Sequence, residues 1–490
     1  MSITQSAVGR VTGVNVAFRD FNAGSAKRLP QRLAVIGQGN TASTYSLDKY
    51  TALSADAVGA RFGYGSPLHL ACRALLPKNN DGIKGIPITL YPMVDFPSTG
   101  SAAVGAIGCT GTSASAAGGG TVKIGGIESA KIVIPATTAP DAALGIIKTA
   151  IAAVLDMPAT GGTVSSGSLP LTSKWKGASA NGITIDISGL SCAGLAFTTS
   201  VFASGANNPD VDTPLGKIGQ VWETMILNLL DYEDTTTLEK FQTFGEGVWD
   251  ELTKRPCVVA SGCVDDYSDR TTVTDARKDD RINFLIESVG SLELPFVIAA
   301  RGMARIIQTA NDNPAQNYTG RLTLYAAGAD ADQEDAATRD AAAKLGASTN
   351  IKTGDVAELC DIVTFYHPEG EDPPAYRYVV DIVKLQNIIY NVRLIFESDD
   401  WKGVPLIPTG QPTVNPTAKT PGDAITALRN LADSLALNAI ISDADFTKAN
   451  ITSAIDGSNP KRLNTTFPVK LSGNVEVNST DIYFGFYVES

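Results

Sequence analysis

The segment from Gly37 to Ala42 has the spacing of a nucleotide-binding motif. Its sequence, Gly-Gln-Gly-Asn-Thr-Ala, follows an apolar run at residues 33–36 that is typical of a buried strand. In the GxGxxG/A fingerprint, the glycines let the backbone approach a pyrophosphate at the N-terminus of a helix. Here residues 43–47 carry no helical apolar stripe, and Asp56 lies in a helix-like stretch instead of at the end of a second strand. We therefore interpret the segment as a glycine loop, and no cofactor is predicted.

Histidine and cysteine, on which most metal sites and catalytic triads depend, are sparse in this sequence. His69 is predicted to lie off the apolar face of a helix that begins at Ser66-Pro67, and His367 precedes a proline in a polar loop. The six cysteines are scattered and form no CxxC pair or disulfide framework. P-loop, HExxH and GxSxG motifs are absent from the sequence. We therefore predict neither a metal site nor a catalytic residue.

A short acidic series resembles the first ligands of a calcium-binding loop. It consists of Asp330, Asp332 and Glu334. An EF-hand loop needs glycine at its sixth position and glutamate at its twelfth, whereas these positions hold Asp335 and Ala341. The series is therefore predicted to be the solvated, acidic start of a helix.

Length and composition limit the class of protein. The chain has 490 residues, 43% of them hydrophobic, which is enough for large cores and about three domains. The formal net charge of −12, without a cluster of Lys and Arg, argues against direct nucleic-acid binding. No apolar run reaches the roughly 18 residues of a membrane-spanning helix, and the first ten residues do not resemble a secretory signal. We expect a protein that folds in a cytoplasm without membrane insertion.

The elements that would position any site are predicted from the period of the apolar residues. Helical spacing predicts helices after residue 140, near residues 379–397 and after Thr420, where Asp423 completes a capping box. Ser442 and Asp445 repeat the capping pattern before a shorter helix. Alternation predicts strands at residues 183–187, 467–471 and 482–488. Residues 101–215, of which only 11 are charged, are predicted to form a self-contained β-rich insertion.

Five short motifs occur in order along the chain. They are residues 62–68 (Phe-Gly-Tyr-Gly-Ser-Pro-Leu), residues 174–183 with the pattern K-x-x-G-x-x-x-N-x-I, residues 208–210 (Asn-Pro-Asp), residues 294–301 and residues 461–464 (Lys-Arg-Leu-Asn). Their order and spacing resemble the contractile-tail sheath proteins of Mu-type bacteriophages over most of the chain. One departure is residues 86–91, Ile-Pro-Ile-Thr-Leu-Tyr, where relatives often have a tryptophan-containing strand.

The resemblance implies a structural virion protein and not an enzyme. Sheath subunits of this kind polymerise with themselves as stacked rings, which form a helical sleeve around the tail tube protein. Their other partners are baseplate and tail terminator proteins. Contraction of the sleeve drives the tube through the host envelope during viral genome ejection and host cell entry. The energy is stored in subunit packing, and the protein would be assembled in the host cytoplasm and reside in the virion tail.

The resemblance also implies a multidomain α+β fold with mixed α/β inner and middle domains, an inserted β-rich outer domain and extended terminal arms. We predict an N-terminal arm at residues 1–30 and a discontinuous middle domain at residues 31–100 and 216–365. The outer domain would occupy residues 101–215. The inner domain, with its terminal strand arm, would occupy residues 366–490.

Both chain ends carry strand patterns that we predict to be subunit contacts, because a free terminal strand is an aggregation hazard unless it is paired. Pairing with a neighbour's sheet would join the subunits, whereas pairing within the same subunit is the plainer alternative. The predicted contact residues are Val14, Val16, Phe18, Ile482, Phe484, Phe486 and Val488. Two other functions stay open: an NAD-dependent oxidoreductase based on the loop from Gly37 to Ala42, and another virion tail component.

Overall fold

The structure, a computed structural model, describes residues 26–77, 82, 83, 85–370, 375–476 and 478–482. The chain divides into two compact units. Unit 1 comprises Met1–Leu29 and Asn387–Gly473, and unit 2 comprises Pro30–Gln386 and Asn474–Ser490. The domain boundaries predicted from the sequence stay predictions.

Strands and helices alternate irregularly along the described residues. The strands are β1 Leu33–Gln38, β2 Tyr50–Thr51, β3 Ile88–Met93, β4 Ala102–Gly111, β5 Gly118–Gly120, β6 Lys123–Ile124, β7 Ile127–Glu128, β8 Ile132–Ile134, β9 Ala159–Gly161, β10 Ser168–Lys176, β11 Ile185–Asp186, β12 Leu190–Ser191, β13 Leu195–Ala203, β14 Met225–Asn228, β15 Val258–Cys263, β16 Asn283–Glu287, β17 Arg321–Ala326, β18 Asn350–Thr353, β19 Val356–Leu359, β20 Thr452–Ile455 and β21 Leu463–Thr466. The α-helices are α1 Ala55–Phe62, α2 Pro67–Leu75, α3 Pro140–Ala152, α4 Asp212–Ile218, α5 Thr235–Trp249, α6 Tyr267–Asp275, α7 Pro295–Asp312, α8 Ala336–Lys344, α9 Val379–Phe396, α10 Pro421–Leu437 and α11 Ala444–Asn450. The predicted mixture of helices and several sheets is confirmed.

A six-stranded sheet forms the centre of unit 2, in the order β16-β15-β14-β1-β3-β2. Its neighbouring strands are parallel except for the pair of β2 and β3. Along β1, Leu33 and Val35 belong to the hydrophobic core on one face, and Ala34 and Ile36 to the core on the other. Helices cover both faces, as a parallel sheet requires, and residues 33–36 of the strand are therefore all apolar. The strand predicted at residues 33–36 is confirmed.

The strands between residues 102 and 203 form smaller sheets of their own. Strand β4 pairs with β10 and β13 in a four-stranded antiparallel sheet, against which the predicted helix α3 packs. The strand predicted at residues 183–187 is reduced to β11, because the Ile183 amide donates to Ala180 O in a turn. The hydrophobic core of this segment is continuous with that of the central sheet, since the buried Trp175 packs edge-on against Phe296 of α7. The segment is therefore not self-contained in its packing.

Unit 1 is built around α10, which has the predicted capping box. The Thr420 hydroxyl accepts from the Asp423 amide, and the Asp423 carboxylate accepts from the Thr420 amide. The predicted cap at Ser442 is wrong. The Asp443 carboxylate caps α11 by accepting from the Phe446 amide at 2.8 Å, whereas the Ser442 hydroxyl is directed to Lys470 O, to which it donates.

The strand predicted at residues 467–471 is also wrong. Strand β21 ends at Thr466, before Pro468, whose nitrogen cannot donate a hydrogen bond. Only Leu471 forms a bridge, with Ile441. None of the helices in the described ranges is long and apolar enough to cross a bilayer.

Candidate functional site

The amide groups of the glycine loop are bonded to the protein itself. The Gly39 amide donates to the Tyr45 hydroxyl at 3.0 Å, the Asn40 amide to Phe62 O at 2.7 Å and the Thr41 amide to Lys174 O at 2.8 Å. The next two amides donate to oxygen atoms of Asn40. A helix N-terminus binds a phosphate through free amide groups that point at it. The amide groups of residues 39–43 all donate hydrogen bonds within the protein and are therefore not available to bind a phosphate.

Close packing explains why glycine occupies position 39. A Cβ atom there would lie 2.4 Å from the ring of Tyr45 and 2.9 Å from Phe62 O. The Tyr45 hydroxyl donates in turn to Met93 O, so its ring fills the space beside the loop. Burial, with a contribution from Asp95, raises the pKa of Tyr45 to about 12. The loop is thus a packed turn between β1 and β2, and no helix follows it until α1 at Ala55.

His69 lies in the core, and its predicted position off the apolar face is wrong. Its side chain is 1% exposed because α2 is covered on more than one side, by α1 as well as by α7. Its Nδ1 accepts from the Gly65 amide at 3.0 Å, and its ring packs edge-on against Tyr64. Burial lowers the pKa of His69 to about 4, so the neutral ring serves as an acceptor that fixes the turn before α2.

His367 is also buried, although it was predicted in a polar loop. Its Nδ1 lies 2.6 Å from Phe365 O and its Nε2 lies 3.1 Å from the Asp275 carboxylate. The hydrogen bond with His367 lowers the pKa of Asp275. The residue connects the segment after β19 to Asp275 at the end of α6, which is a structural role.

The acidic series at residue 330 is only partly solvated. Asp330 lies in a single 3₁₀ turn, and Asp335 caps α8 by accepting from the Thr338 amide at 2.7 Å. Glu334, however, forms a bidentate pair with Arg270 of α6, whose side chain is fully buried. Sequence reasoning missed this pair, because nothing near Arg270 indicates a partner 64 positions away. In the described part of the chain, no group of three or more His, Cys, Asp or Glu side chains could hold a metal ion.

A small acidic cavity lies at the carboxyl ends of β14 and β15. It has a volume of 130 Å³, below the roughly 300 Å³ of the smaller ligand sites. Its lining includes Asp231, Glu233, Asp265 and the ring of Phe296. Burial, helped by the nearby Asp265 carboxylate, raises the pKa of Asp231. The position is the one where parallel sheets often bind ligands, but the space is too small for a cofactor.

A β-hairpin in unit 1 offers the clearest candidate for an interaction site. Strands β20 and β21 pair antiparallel with each other and with no further strand among the described residues. The Asp456 amide donates to Arg462 O, which fixes the alternation of inward and outward backbone groups. The residues whose backbone N–H and C=O groups point away from the partner strand are Ser453, Ile455, Leu463 and Thr465. Both outer edges of the hairpin can therefore accept another strand.

The residues predicted as subunit contacts fall mostly outside the described residues. This applies to Val14, Val16, Phe18, Phe484, Phe486 and Val488. Ile482 is described, lies in no strand and is 80% exposed. The hairpin itself was missed in the sequence, because its strands are short and alternate weakly.

The chain was compared with known proteins. No family model matches it. It is 24% identical over 439 residues to the Mu-like prophage FluMu tail sheath protein of Haemophilus influenzae, covering 86% of this chain and 85% of that protein. The resemblance that the motifs predicted is confirmed, and it is a resemblance to a structural tail protein and not to an enzyme.

The comparison with solved structures gave matches at TM-scores below 0.5. A sheath tail protein from Listeria innocua has a TM-score of 0.48 at 11% identity, covering 92% of this chain and 94% of that one. One from Desulfitobacterium hafniense has a TM-score of 0.46 at 12% identity, with 91% and 94% covered. A chain of the anti-feeding prophage baseplate in its contracted state has a TM-score of 0.40 at 10% identity, with 99% of each chain covered.

Proposed function

We propose that this chain, which resembles the tail sheath proteins of Mu-type bacteriophages, is the sheath subunit of a contractile phage tail. The observation that carries the proposal is the similarity to a tail sheath protein along 86% of the chain. Copies polymerise as stacked rings into a helical sleeve around the tail tube protein, bounded by baseplate and tail terminator proteins. The subunit assembles in the host cytoplasm and resides in the virion tail.

Contraction uses energy stored in subunit packing at assembly, and no nucleotide is consumed. The occupied amides of the loop around Gly39 support this part of the proposal, because they leave no cradle for a phosphate. The inner domain at residues 366–490 connects the subunits. The predicted middle domain, at residues 31–100 and 216–365, and the predicted outer domain, at residues 101–215, share a hydrophobic core and therefore rearrange around the inner domain together, as one rigid body.

Subunits are joined by strand addition at the hairpin β20–β21. The outward backbone groups of the hairpin need partners, and the terminal arms carry strand patterns that need an edge. A contact between one subunit's arm and another subunit's hairpin joins two different surfaces. Such heterologous contacts generate rings and helices instead of closed dimers.

Proline at an outward position of the hairpin tests this proposal directly. Ser453→Pro and Thr465→Pro each remove an outward-pointing N–H but leave the bonds between β20 and β21 in place. We expect these variants to fold as monomers that form no tubes or rings in negative-stain micrographs. Ser453→Ala and Thr465→Ala are the matched controls, since they lose the same contact between the two hydroxyls but keep the N–H.

Truncation tests the other half of the contact. Deleting residues 478–490 should leave a cooperatively folding monomer that does not polymerise. Tubes from the truncated protein or from both proline variants would refute strand addition at this hairpin. A wild-type protein that stays monodisperse and is thermally stabilised by NAD would refute the sheath assignment and favour the oxidoreductase.

A further inference from the structure

Helix α9 carries a row of buried polar side chains. Lys384, Asn387 and Asn391 are spaced by three and four residues and therefore lie on one face of the helix. Their exposed fractions are 0%, 0% and 4%. Buried amide and ammonium groups are costly unless they are hydrogen-bonded, so their partners indicate what the row does.

The two asparagines hold the root of the N-terminal arm, within unit 1. Asn387 Oδ1 accepts from the Leu29 amide at 2.8 Å, and Asn391 Oδ1 accepts from the Lys27 amide at 2.7 Å. Asn391 Nδ2 also donates to Lys27 O at 2.8 Å. All three bonds go to the backbone, so they fix the course of residues 27–29 whatever the side chains are. The hydroxyl of Ser434 in α10 adds a further contact, because it accepts a hydrogen bond from the amide of residue 26.

The lysine holds the segment from which the C-terminal arm departs, within unit 2. Lys384 Nζ donates to Asn474 Oδ1 at 2.7 Å and to Asp381 Oδ1 at 2.9 Å. Asn474 Nδ2 donates in turn to Ala315 O at 2.8 Å. Two residues later, the Glu476 carboxylate accepts from Asn317 Nδ2 at 3.1 Å. Residues 474–476 are thus fastened by polar contacts at both ends.

We infer that the polar row of α9, formed by Lys384, Asn387 and Asn391, positions both terminal arms at their roots. The inference rests on the proposed function, in which the arms add as strands to neighbouring subunits. A tethered strand binds its acceptor at an effective concentration set by the length of free chain between tether and acceptor. The row fixes the backbone at Lys27 and Leu29 on one side and the side chain of Asn474 on the other, and these contacts set the points from which the two arms extend.

Ordinary core packing does not explain the row. The apolar residues of the same helix, among them Val380, Ile382 and Val383, already supply its contact with the core. Gln386, on the same helix, is a buried polar residue that donates no hydrogen bond to a terminal arm within the described ranges. It is fully buried, and its Nε2 donates to Thr224 O and Pro256 O, which belong to the folded body of unit 2 and not to an arm. Gln386 therefore provides a matched control on the same helix.

Hydrogen–deuterium exchange of the full-length monomer tests the inference. In the double variant Asn387→Ala/Asn391→Ala, peptides covering residues 26–30 should exchange on the order of tenfold faster, because three hydrogen bonds are lost. Peptides covering residues 474–482 should be unchanged. Lys384→Met should give the reverse pattern, and Gln386→Leu should accelerate neither region. If the double variant does not fold, Asn391→Ala alone, which keeps the bond to the Leu29 amide, should give a smaller acceleration in the same peptides.

Polymer yield, measured by sedimentation, is the second measurement. We expect the polymer yield to fall in Asn387→Ala/Asn391→Ala and in Lys384→Met, and to stay at the wild-type level in Gln386→Leu. Accelerated exchange with wild-type polymer yield would refute a positioning role while leaving strand addition intact. Unchanged hydrogen exchange in the variants of Asn387, Asn391 and Lys384 would refute the inference that these side chains fix the starts of the two arms. Polymerisation of chains that lack residues 478–490 would instead refute the strand addition on which the inference rests.

Discussion

Replacing His69 with asparagine is expected to remove an acid-sensitive part of the stability of unit 2. The His69 side chain is 1% exposed, and its Nδ1 must be unprotonated to accept from the Gly65 amide. Asparagine can accept the same hydrogen bond through Oδ1, but it does not titrate. Burial is the main cause of the lowered pKa of His69. The charged groups that face the ring are Asp156 and Asp56, which oppose the shift, and Arg73 and Lys174, which add to it.

The sign and size of the effect follow from the two pKa values. The unfolded chain takes up a proton at His69 below pH 6.5, whereas the folded chain does so only near pH 4. The stability that the neutral ring contributes is therefore fully present above pH 6.5 and is lost as the pH falls towards 4. The separation of the two pKa values corresponds to about 3 kcal/mol in the free energy of unfolding.

Urea denaturation between pH 7.5 and pH 4 measures this loss. The free energy of unfolding of the wild type should fall by about 3 kcal/mol more than that of the His69→Asn variant over this range. Other groups titrate in both proteins and cancel in the difference. Parallel pH profiles would refute the reasoning, because they would mean that His69 takes up its proton equally readily in the folded and unfolded states.

Two further substitutions test packing. Trp175→Ala should cost about 3–5 kcal/mol, since the ring is fully buried against Phe296, and hydrogen exchange should rise in the central sheet as well as in residues 101–215. Val201→Ala, at an 82% exposed position, is the control, and exchange confined to residues 101–215 would contradict a shared core. Gly39→Ala should cost about 1–3 kcal/mol by overlap with Tyr45, as measured by thermal or urea unfolding. The cost should shrink in a Tyr45→Ala background, and an undiminished cost would show that Tyr45 is not what excludes a side chain.

Local sequence signals identified several elements that depend on near neighbours. The capping box at Thr420 and Asp423, the apolar strand at residues 33–36 and the helix that became α9 are confirmed. Each of these depends on contacts within a few residues, which the order of side chains specifies directly. The cap of α11 was misplaced by one residue, from Ser442 to Asp443, because two adjacent side chains could both cap and a distant carbonyl decided between them.

The candidate sites were less predictable, because their contacts join distant residues. His69 has the helical phase of a half-exposed residue, but α1 and α7 enclose α2 and bury it. The pairing of Arg270 with Glu334 spans 64 residues, and no local pattern marks it. The hairpin β20–β21 has short, weakly alternating strands, so its edges became visible only once the pairing was known.

The sequence alone predicted the resemblance to tail sheath proteins, because the order and spacing of five motifs are properties of the chain itself. The sequence also predicted those helices and strands whose capping residues and apolar periods lie within the element itself. The tertiary structure decided what the buried polar residues do. Asn387 and Asn391 look like unremarkable helix positions in the sequence, and only folding brings the backbone of residues 27–29, more than 350 positions away, within hydrogen-bonding distance of them. A buried polar side chain requires a partner, and the fold alone determines which partner it finds.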